Sequence, residues 1–192
     1  MVDPNSPANE VHVPRPGPTK GPSPDSSWGP TKSKTATWYD PRISASAVPG
    51  FAGVDFLRAI RDGTLPAPPI AVLMGFRIVE AEVGTVVFEC EPDESVYNPI
   101  GMVHGGLVCT LADTVTGCAV HSTLERGMAY TSIDLNVSYL RPVTVNSGVL
   151  RATGIVTKPG RRVAFASGEI TDGSGKVVAT ATSSCLIMSA DT

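Results

Sequence analysis

The chain has 192 residues, of which 42% are hydrophobic and 17% are charged, and its formal net charge is −3. This composition is sufficient for one globular domain with a sizeable core. It argues against a protein that binds nucleic acid by general electrostatic attraction, because such a domain carries a clear basic excess. Recognition of phosphate groups must therefore depend on a local cluster of cations.

The positions of the cysteines and the polar N-terminus bear on the cellular compartment of the protein. The cysteines lie in apolar runs without a Cys-x-x-Cys pair, which predicts buried, reduced thiols: Cys90, Cys109, Cys118 and Cys185. Residues 1–10 lack the basic start and the apolar segment of a signal peptide. The apolar runs are far shorter than the roughly 20 residues that cross a bilayer. We expect a soluble, cytoplasmic protein.

Residues 1–49 are predicted to form a disordered, proline-rich arm. Ten of the 17 prolines lie within the first 50 residues, among Gly, Ser, Thr and Lys. Such a segment cannot bury enough apolar surface to offset the entropy lost on ordering. Its aromatic residues, Trp28, Trp38 and Tyr39, leave open that the arm docks on the domain or on a partner. The folded domain is predicted to cover residues 50–192.

This domain is predicted to contain a helix, two strands, a buried helix and four strands. Apolar residues at near-helical spacing indicate a short helix over residues 51–60, and Pro66, Pro68 and Pro69 are expected to break the chain after it. Two strands are predicted around Gly84. The later strands are predicted at residues 129–140, 149–158, 163–171 and 177–188, the last two joined by the turn at residues 172–175. One long helix wrapped by an antiparallel sheet is an α+β architecture.

The predicted buried helix, residues 106–121, carries one formally charged side chain, Asp113. A helix with so little charge is buried on most sides, so this carboxylate is expected to be desolvated, which suits a general base or a nucleophile. The alternative is a buried acid satisfied by neighbouring hydroxyls. The candidate hydroxyls are those of Thr110, Thr114 and Thr116.

His104-Gly105-Gly106 immediately precedes this helix. Backbone N–H groups at a helix N-terminus are unpaired, and glycine lets a ligand approach them, so Gly105 and Gly106 can hold the oxyanion formed in acyl transfer. The alternative is that the two glycines only form a tight turn into the helix.

The spacing of these groups predicts a dimer. Eight residues separate Gly105 from Asp113, which corresponds to about 12 Å along a helix, whereas reacting groups must lie within about 3.5 Å. One helix cannot bring both groups to one carbonyl. Two antiparallel helices from two subunits can, with Gly105 of one chain facing Asp113 of the other across a two-fold axis.

Two weaker patterns complete the candidate site. In the strand after the helix, alternation places Ser132, Asp134, Asn136 and Ser138 on one face, which lines either a wet cleft or the solvated surface. The turn from Lys158 to Arg162 is basic in a protein without a basic excess. Lys158, Arg161 and Arg162 can bind the phosphates of coenzyme A, or they are exposed cations that only aid solubility.

The motif Asn98-Pro-Ile-Gly-Met-Val-His-Gly-Gly106, followed by Leu-Val-Cys-Thr-Leu-Ala-Asp113, resembles the signature of PaaI-like hotdog-fold acyl-CoA thioesterases. The resemblance extends over residues 68–188 and includes Asp134-Leu-Asn-Val-Ser-Tyr-Leu-Arg-Pro142. It implies a hotdog fold, in which a sheet wraps one long helix, and a dimer that often pairs into a tetramer.

The resemblance also implies roles for single residues. Asp113 attacks the thioester or activates water, and the Gly105 amide binds the thioester oxygen. Asn98 and His104 position that group or the water, and Ser132 helps to orient the water. No metal or organic cofactor is implied.

Two other functions stay open at this point. One is a hotdog hydratase or dehydratase that uses His104. The other is a non-catalytic acyl-CoA-binding or scaffold protein that interacts through the proline-rich arm. If the protein is a thioesterase, medium-chain or aryl acyl groups are the preferred substrates. The predicted lining of the acyl pocket is Leu73, Met74, Val103, Leu107 and residues near Tyr130.

Overall fold

The structure is a computed structural model that describes residues 26–190. The chain forms two compact units, residues 1–33 and residues 34–192. The described part of the first unit holds a short 3-10 helix, Ser26–Trp28. The predicted disorder of the arm falls partly on residues 1–25, which lie outside the described residues.

The α-helices and β-strands of residues 26–190 all belong to the second unit. The α-helices are α1 (Arg42–Ala47), α2 (Gly53–Arg61), α3 (Pro69–Met74) and α4 (Gly105–His121). The strands are β1 (Phe76–Glu82), β2 (Thr85–Cys90), β3 (Met128–Tyr139), β4 (Leu150–Lys158), β5 (Val163–Thr171) and β6 (Val177–Ser189). Short 3-10 helices lie at Val48–Gly50, Glu94–Val96 and Val145–Ser147. The predicted strands and the long helix are confirmed.

Residues 34–49, which the sequence analysis assigns to the arm, lie in the same compact unit as the domain. They include α1, whose Ser44 hydroxyl donates to the Pro66 carbonyl at 2.9 Å. Trp38 and Tyr39 are exposed. The disorder of the arm as a whole stays a prediction.

The six strands form one antiparallel sheet in the order β1-β2-β4-β5-β6-β3. The hairpin between β5 and β6 turns at residues 172–175, as predicted, because the Asp172 carboxylate accepts from the amides of Ser174 and Lys176 at 2.9 and 3.0 Å. Strand β3 pairs with β6 on one side and lies at an edge of the sheet.

Helix α4 packs across the sheet and buries its apolar side against it. Leu111, Ala112 and Val115 have no exposed surface and belong to the main hydrophobic cluster. The approach is close at Gly154 of β4, where a Cβ would lie 2.0 Å from the Val115 carbonyl oxygen. Only glycine permits this contact between sheet and helix. The predicted α+β hotdog fold, one long helix on an antiparallel sheet, is confirmed.

The segment with Pro66, Pro68 and Pro69 differs from the prediction of a simple break. Pro69 is the first residue of α3, which ends at Gly75 in the left-handed conformation with φ 73°. Proline is favoured at the first helical position because the N–H that it lacks has no partner within the helix. The three prolines therefore stop one helix and start another.

Candidate functional site

Asp113 and Ser132 form the central pair of the candidate site. The Ser132 hydroxyl donates to Asp113 Oδ1 at 2.9 Å. Both residues are exposed in the single chain, so the desolvation expected for Asp113 is wrong for one subunit alone. The reason is that α4 packs on the sheet with one side only, and Asp113 lies on the other side. The carboxylate is therefore open to a second molecule.

The neighbouring threonines do not satisfy Asp113. Their hydroxyls donate to helix carbonyls one turn earlier, from Thr110 to Gly106 at 2.8 Å and from Thr114 to Thr110 at 2.7 Å. Thr116 does the same toward the carbonyls of Ala112 and Asp113. The partner of the carboxylate is thus supplied by β3 instead of by the helix itself.

A β-bulge in β3 turns Ser132 toward α4. The pairing with β6 shifts between Ser132 and Asp134, which leaves Ile133 as the extra residue. Past the bulge, Leu135 and Val137 pack against the core, whereas Asn136 lies on the opposite face of the sheet. The prediction that Ser132 shares a polar face with Asp134, Asn136 and Ser138 is therefore wrong, because an inserted residue reverses the alternation.

His104 and the two glycines begin α4 as predicted. His104 is the N-cap residue, and its Nδ1 accepts from the Gly106 amide at 2.8 Å. Within residues 26–190 no acceptor is found for the Gly105 amide, whereas its carbonyl accepts from the Tyr139 hydroxyl at 3.1 Å. Of the two amides, only that of Gly105 is left for a ligand, since His104 occupies that of Gly106.

Asn98 shapes the loop that precedes α4. Its side-chain Oδ1 accepts from the backbone N–H groups of Ile100 and Met102, both at 3.1 Å. Its backbone N–H donates to the Met102 carbonyl at 2.8 Å. The loop continues into Val103, whose amide donates to the Val143 carbonyl. Asn98 therefore holds the segment that delivers His104 and Gly105 to the helix start.

The basic turn lies at one end of the sheet. Lys158, Arg161 and Arg162 are exposed, and Lys158 Nζ is 5.9 Å from the centroid of the Phe165 ring. The Arg162 carbonyl accepts from the Ile187 amide at 2.9 Å, and Ile187 pairs with Tyr130 of β3. The turn is therefore two strands, or about 10 Å, from the strand that carries Ser132.

A cavity of about 460 Å³ lies against α4 and β3, with neither Asp113 nor Ser132 in its wall. Thr114, the residue after Asp113, and Tyr130, two residues before Ser132, both line it. Of the residues predicted to line the acyl pocket, Tyr130 lines this cavity, whereas Leu107 is buried in the core and Val103 lines a second cavity beside Gly105. Leu73 and Met74 of α3 are also absent from the wall, whereas their neighbours Ile70 and Ala71 form part of it.

His121 lines this cavity and was not predicted as a site residue. It is 6% exposed, and neither ring nitrogen has a hydrogen-bond partner among the described residues. Burial lowers the pKa of its ring to about 4. Its ring centroid is 5.4 Å from that of Phe56 and 5.6 Å from that of Tyr130. The available signal was an ionisable side chain in the last turn of an apolar helix.

Between residues 26 and 190 no three His, Cys, Asp or Glu side chains are grouped as metal ligands. No helix in that range is long and apolar enough to cross a membrane. The expectation that the reaction needs no metal or cofactor stays a prediction.

Comparison with known proteins gives the family. The model of the thioesterase superfamily matches residues 100–179. Human acyl-coenzyme A thioesterase 13 is 36% identical over 109 residues, which are 56% of this chain and 76% of that protein.

Solved structures agree. A phenylacetic acid degradation-related protein from Ralstonia eutropha is 32% identical, with a TM-score of 0.62 over 68% of this chain and 98% of that one. The PaaI protein of the Escherichia coli phenylacetic acid degradation operon is 26% identical, with a TM-score of 0.57 over 62% and 83%. With this fold, this start of α4 and these relatives, the chain belongs to the PaaI-like branch of the thioesterase superfamily.

Proposed function

We propose that this protein hydrolyses acyl-CoA thioesters to the free acid and CoA, with Asp113 as the catalytic carboxylate. The observation that carries the proposal is the Asp113–Ser132 hydrogen bond on the open side of α4, in a chain of the thioesterase superfamily. The name of the human relative, an acyl-coenzyme A thioesterase, supports the substrate class.

The active site is proposed to be shared between two subunits. Gly105 and Asp113 are separated by about 12 Å along α4, so no single carbonyl contacts both in one chain. Pairing α4 with the α4 of a second copy, in the opposite direction, brings the Gly105 amide of one subunit to Asp113 of the other. The exposure of Asp113 in the single chain supports this arrangement, since the second copy would supply the missing desolvation.

The edge strand β3 supports the same pairing. An edge strand presents unpaired backbone N–H and C=O groups to another chain. Next to this edge Ile133, Tyr139 and Leu140 are 57%, 55% and 54% exposed. Apolar side chains beside a free strand edge are typical of a protein interface. Two β3 strands paired about a two-fold axis would form the expected double hotdog. The molecular mass of the protein in solution tests whether such dimers pair further into a tetramer.

The reaction consumes one water molecule. The Gly105 N–H donates to the thioester oxygen and stabilises the negative charge that develops there. Asp113 either attacks the carbonyl carbon to form an anhydride that water then hydrolyses, or removes a proton from the attacking water. In both routes the C–S bond breaks, the CoA thiolate gains a proton and the acid is released. Ser132 orients the carboxylate or the water through its hydroxyl.

The two routes differ in where oxygen from water is found. In a single turnover in ¹⁸O-water, attack by Asp113 followed by hydrolysis of the anhydride at the Asp113 carbonyl carbon puts the label into the protein and leaves the product acid with one Asp113 oxygen. Hydrolysis of the anhydride at the acyl carbon puts the label into the acid. Activation of water by Asp113 puts the label into the acid directly. Mass spectrometry of the acid and of the peptide that contains Asp113 locates the label, and label in that peptide identifies the anhydride route.

The remaining site residues have supporting roles in the proposal. Asn98 and His104 position the loop and the first turn of α4, and thereby the Gly105 amide. The occupied Nδ1 of His104 favours this role over the catalytic histidine of a hydratase. Lys158, Arg161 and Arg162 are proposed to bind the CoA phosphates, because their cationic side chains are exposed at one turn.

Mixing two inactive variants tests the shared site. Gly105→Pro lacks the amide and Asp113→Asn lacks the carboxylate, so each homodimer should release little thiol from dodecanoyl-CoA. In a mixed dimer one of the two sites has both an intact Gly105 and an intact Asp113. Unfolding and refolding the two variants together should restore about a quarter of the native rate, because half of the dimers are mixed and half of their sites are intact.

The controls distinguish a site shared between two subunits, a site within one chain and a non-catalytic binding site. Each variant refolded alone must stay inactive. Restored activity supports a shared site, whereas no recovery contradicts it and requires both groups to act within one chain. If the native protein binds acyl-CoA without releasing thiol, the catalytic proposal is wrong and the non-catalytic binding protein replaces it.

A further inference from the structure

The cavity lined by Thr114 and Tyr130 is mostly apolar, and its wall includes residues of α1, α2, α3, β1, β2, β3 and the second half of α4. Its volume of about 460 Å³ lies within the range of small-molecule sites. The side of the wall that includes Pro41, Ala45 and Val48 lies outside residues 100–179, so the family match does not predict it. A cavity of this kind accommodates an acyl chain.

Most polar side chains in the wall already have partners. The hydroxyl of Ser44 donates to the Pro66 carbonyl, and that of Thr114 donates to the helix. Arg61 is paired with Asp62, and Arg77 with Glu89. These groups are therefore not free to recognise a substituent on the acyl chain.

His121 is the exception. Its ring lines the cavity, is 6% exposed, and has no hydrogen-bond partner on either nitrogen among the described residues. A buried polar group without a partner costs free energy, so a ligand that supplies one is favoured. Burial lowers the pKa of the ring to about 4, so at neutral pH the ring has one N–H donor and one acceptor. A hydroxyl group, which both donates and accepts, matches it without bringing a charge into an apolar site.

The position of His121 determines how far along the chain that hydroxyl lies. His121 follows Asp113 by eight residues in α4, which corresponds to about 12 Å. An extended chain advances about 1.2 Å per bond, so about ten bonds separate the reacting carbonyl from a group at His121. An aromatic acyl group with a ring hydroxyl is too short to span this distance.

We propose that this cavity selects aliphatic acyl chains that carry a hydroxyl group about eight to ten carbon atoms from the thioester, with His121 as the hydrogen-bond partner of that hydroxyl. This inference rests on the acyl-CoA hydrolysis proposed above. It makes His121 a specificity-determining residue that contacts the substrate far from the reacting carbonyl.

The test compares kcat/KM for three esters of equal chain length: dodecanoyl-CoA, 10-hydroxydodecanoyl-CoA and 3-hydroxydodecanoyl-CoA. The native protein should prefer the 10-hydroxy ester over the unsubstituted ester by about tenfold, the effect of one or two hydrogen bonds in a buried site. The 3-hydroxy ester should show no such preference. In His121→Phe the ratio should fall to about one, and His121→Gln, which keeps a donor and an acceptor, should retain part of it.

The outcomes separate this inference from the proposed function. If the native protein releases thiol from none of the three esters, the hydrolase proposal fails. The cavity is then tested alone, by comparing how far free 10-hydroxydodecanoic acid and free dodecanoic acid raise the unfolding temperature of the native protein and of His121→Phe. If all three esters are hydrolysed with equal kcat/KM, or if His121→Phe keeps the native ratio, the role of His121 is wrong. Should His121→Phe fail to fold, the positional comparison and His121→Gln decide.

Discussion

Replacing Gly105 with proline removes one backbone N–H from the start of α4 and changes little else there. Proline is favoured at the first position of a helix, and the preceding His104 has φ −62° and ψ 134°, the extended conformation that a residue before proline requires. A Cβ at position 105 would lie 3.3 Å from the Tyr139 ring, which is 55% exposed and can shift by a few tenths of an ångström. The variant is therefore expected to fold.

The loss of this N–H should lower kcat by a factor of about 10² to 10³, because one oxyanion-hole donor stabilises the transition state by about 3 kcal/mol. KM should change little, since the donor acts mainly on charge that develops in the transition state. Gly105→Ala is the matched control, because it adds the same Cβ but keeps the N–H. It should retain most of the native rate.

The assay is thiol release at saturating dodecanoyl-CoA, with thermal unfolding of the native protein and both variants measured in parallel. A low kcat in Gly105→Pro alone, at similar stability of the two variants, supports the assigned donor. Equal kcat values in the proline and alanine variants would refute it, and the oxyanion would then need another donor.

Ser132→Ala should lower kcat by about tenfold or more, since it removes a hydrogen bond to the charged Asp113, whereas Ser132→Thr keeps a hydroxyl and should retain more activity; steady-state kinetics of both variants check this. Burial holds the pKa of His121 at about 4, so the unfolded chain binds a proton near pH 6.5 that the folded chain does not yet bind. As the pH is lowered from about 6.5 to about 4, protonation of His121 in the unfolded chain should therefore reduce the free energy of unfolding by about 3 kcal/mol. Urea unfolding at these two pH values should show this decrease in the native protein, and His121→Gln should lack it. Gly154→Ala should lower the free energy of unfolding by about 3 kcal/mol, because its Cβ would lie 2.0 Å from a carbonyl oxygen of α4. Gly50→Ala should have little effect in the same urea titration, because a Cβ there meets no atom within 4 Å.

Local patterns were sufficient for most of the secondary structure. The hairpin at residues 172–175 is a side-chain-to-backbone turn that depends only on nearby residues. The apolar run of α4 and its glycine start are equally local. Helix α3 was missed because a proline at a first helical position and a proline that breaks the chain have the same local pattern.

Local sequence patterns also predicted part of the candidate site. The start of α4 and the position of Asp113 in that helix follow from a short segment of sequence. The direction of Ser132 does not, because the bulge at Ile133 depends on pairing with β6, about fifty residues later. The sequence therefore offers the threonines of the same helix as partners of Asp113, whereas in the structure the partner lies on β3.

The sequence by itself determined the six strands, the start of α4, and that Asp113 and the Gly105 amide are too far apart to act together within one helix. Each of these depends on spacing along the chain. Only the tertiary structure decided which side of α4 is open, that Ser132 contacts Asp113, and that His121 lines a cavity without a hydrogen-bond partner among residues 26–190. Those features depend on how distant segments pack, and burial and hydrogen-bond partners across a sheet have no local signal in the order of the residues.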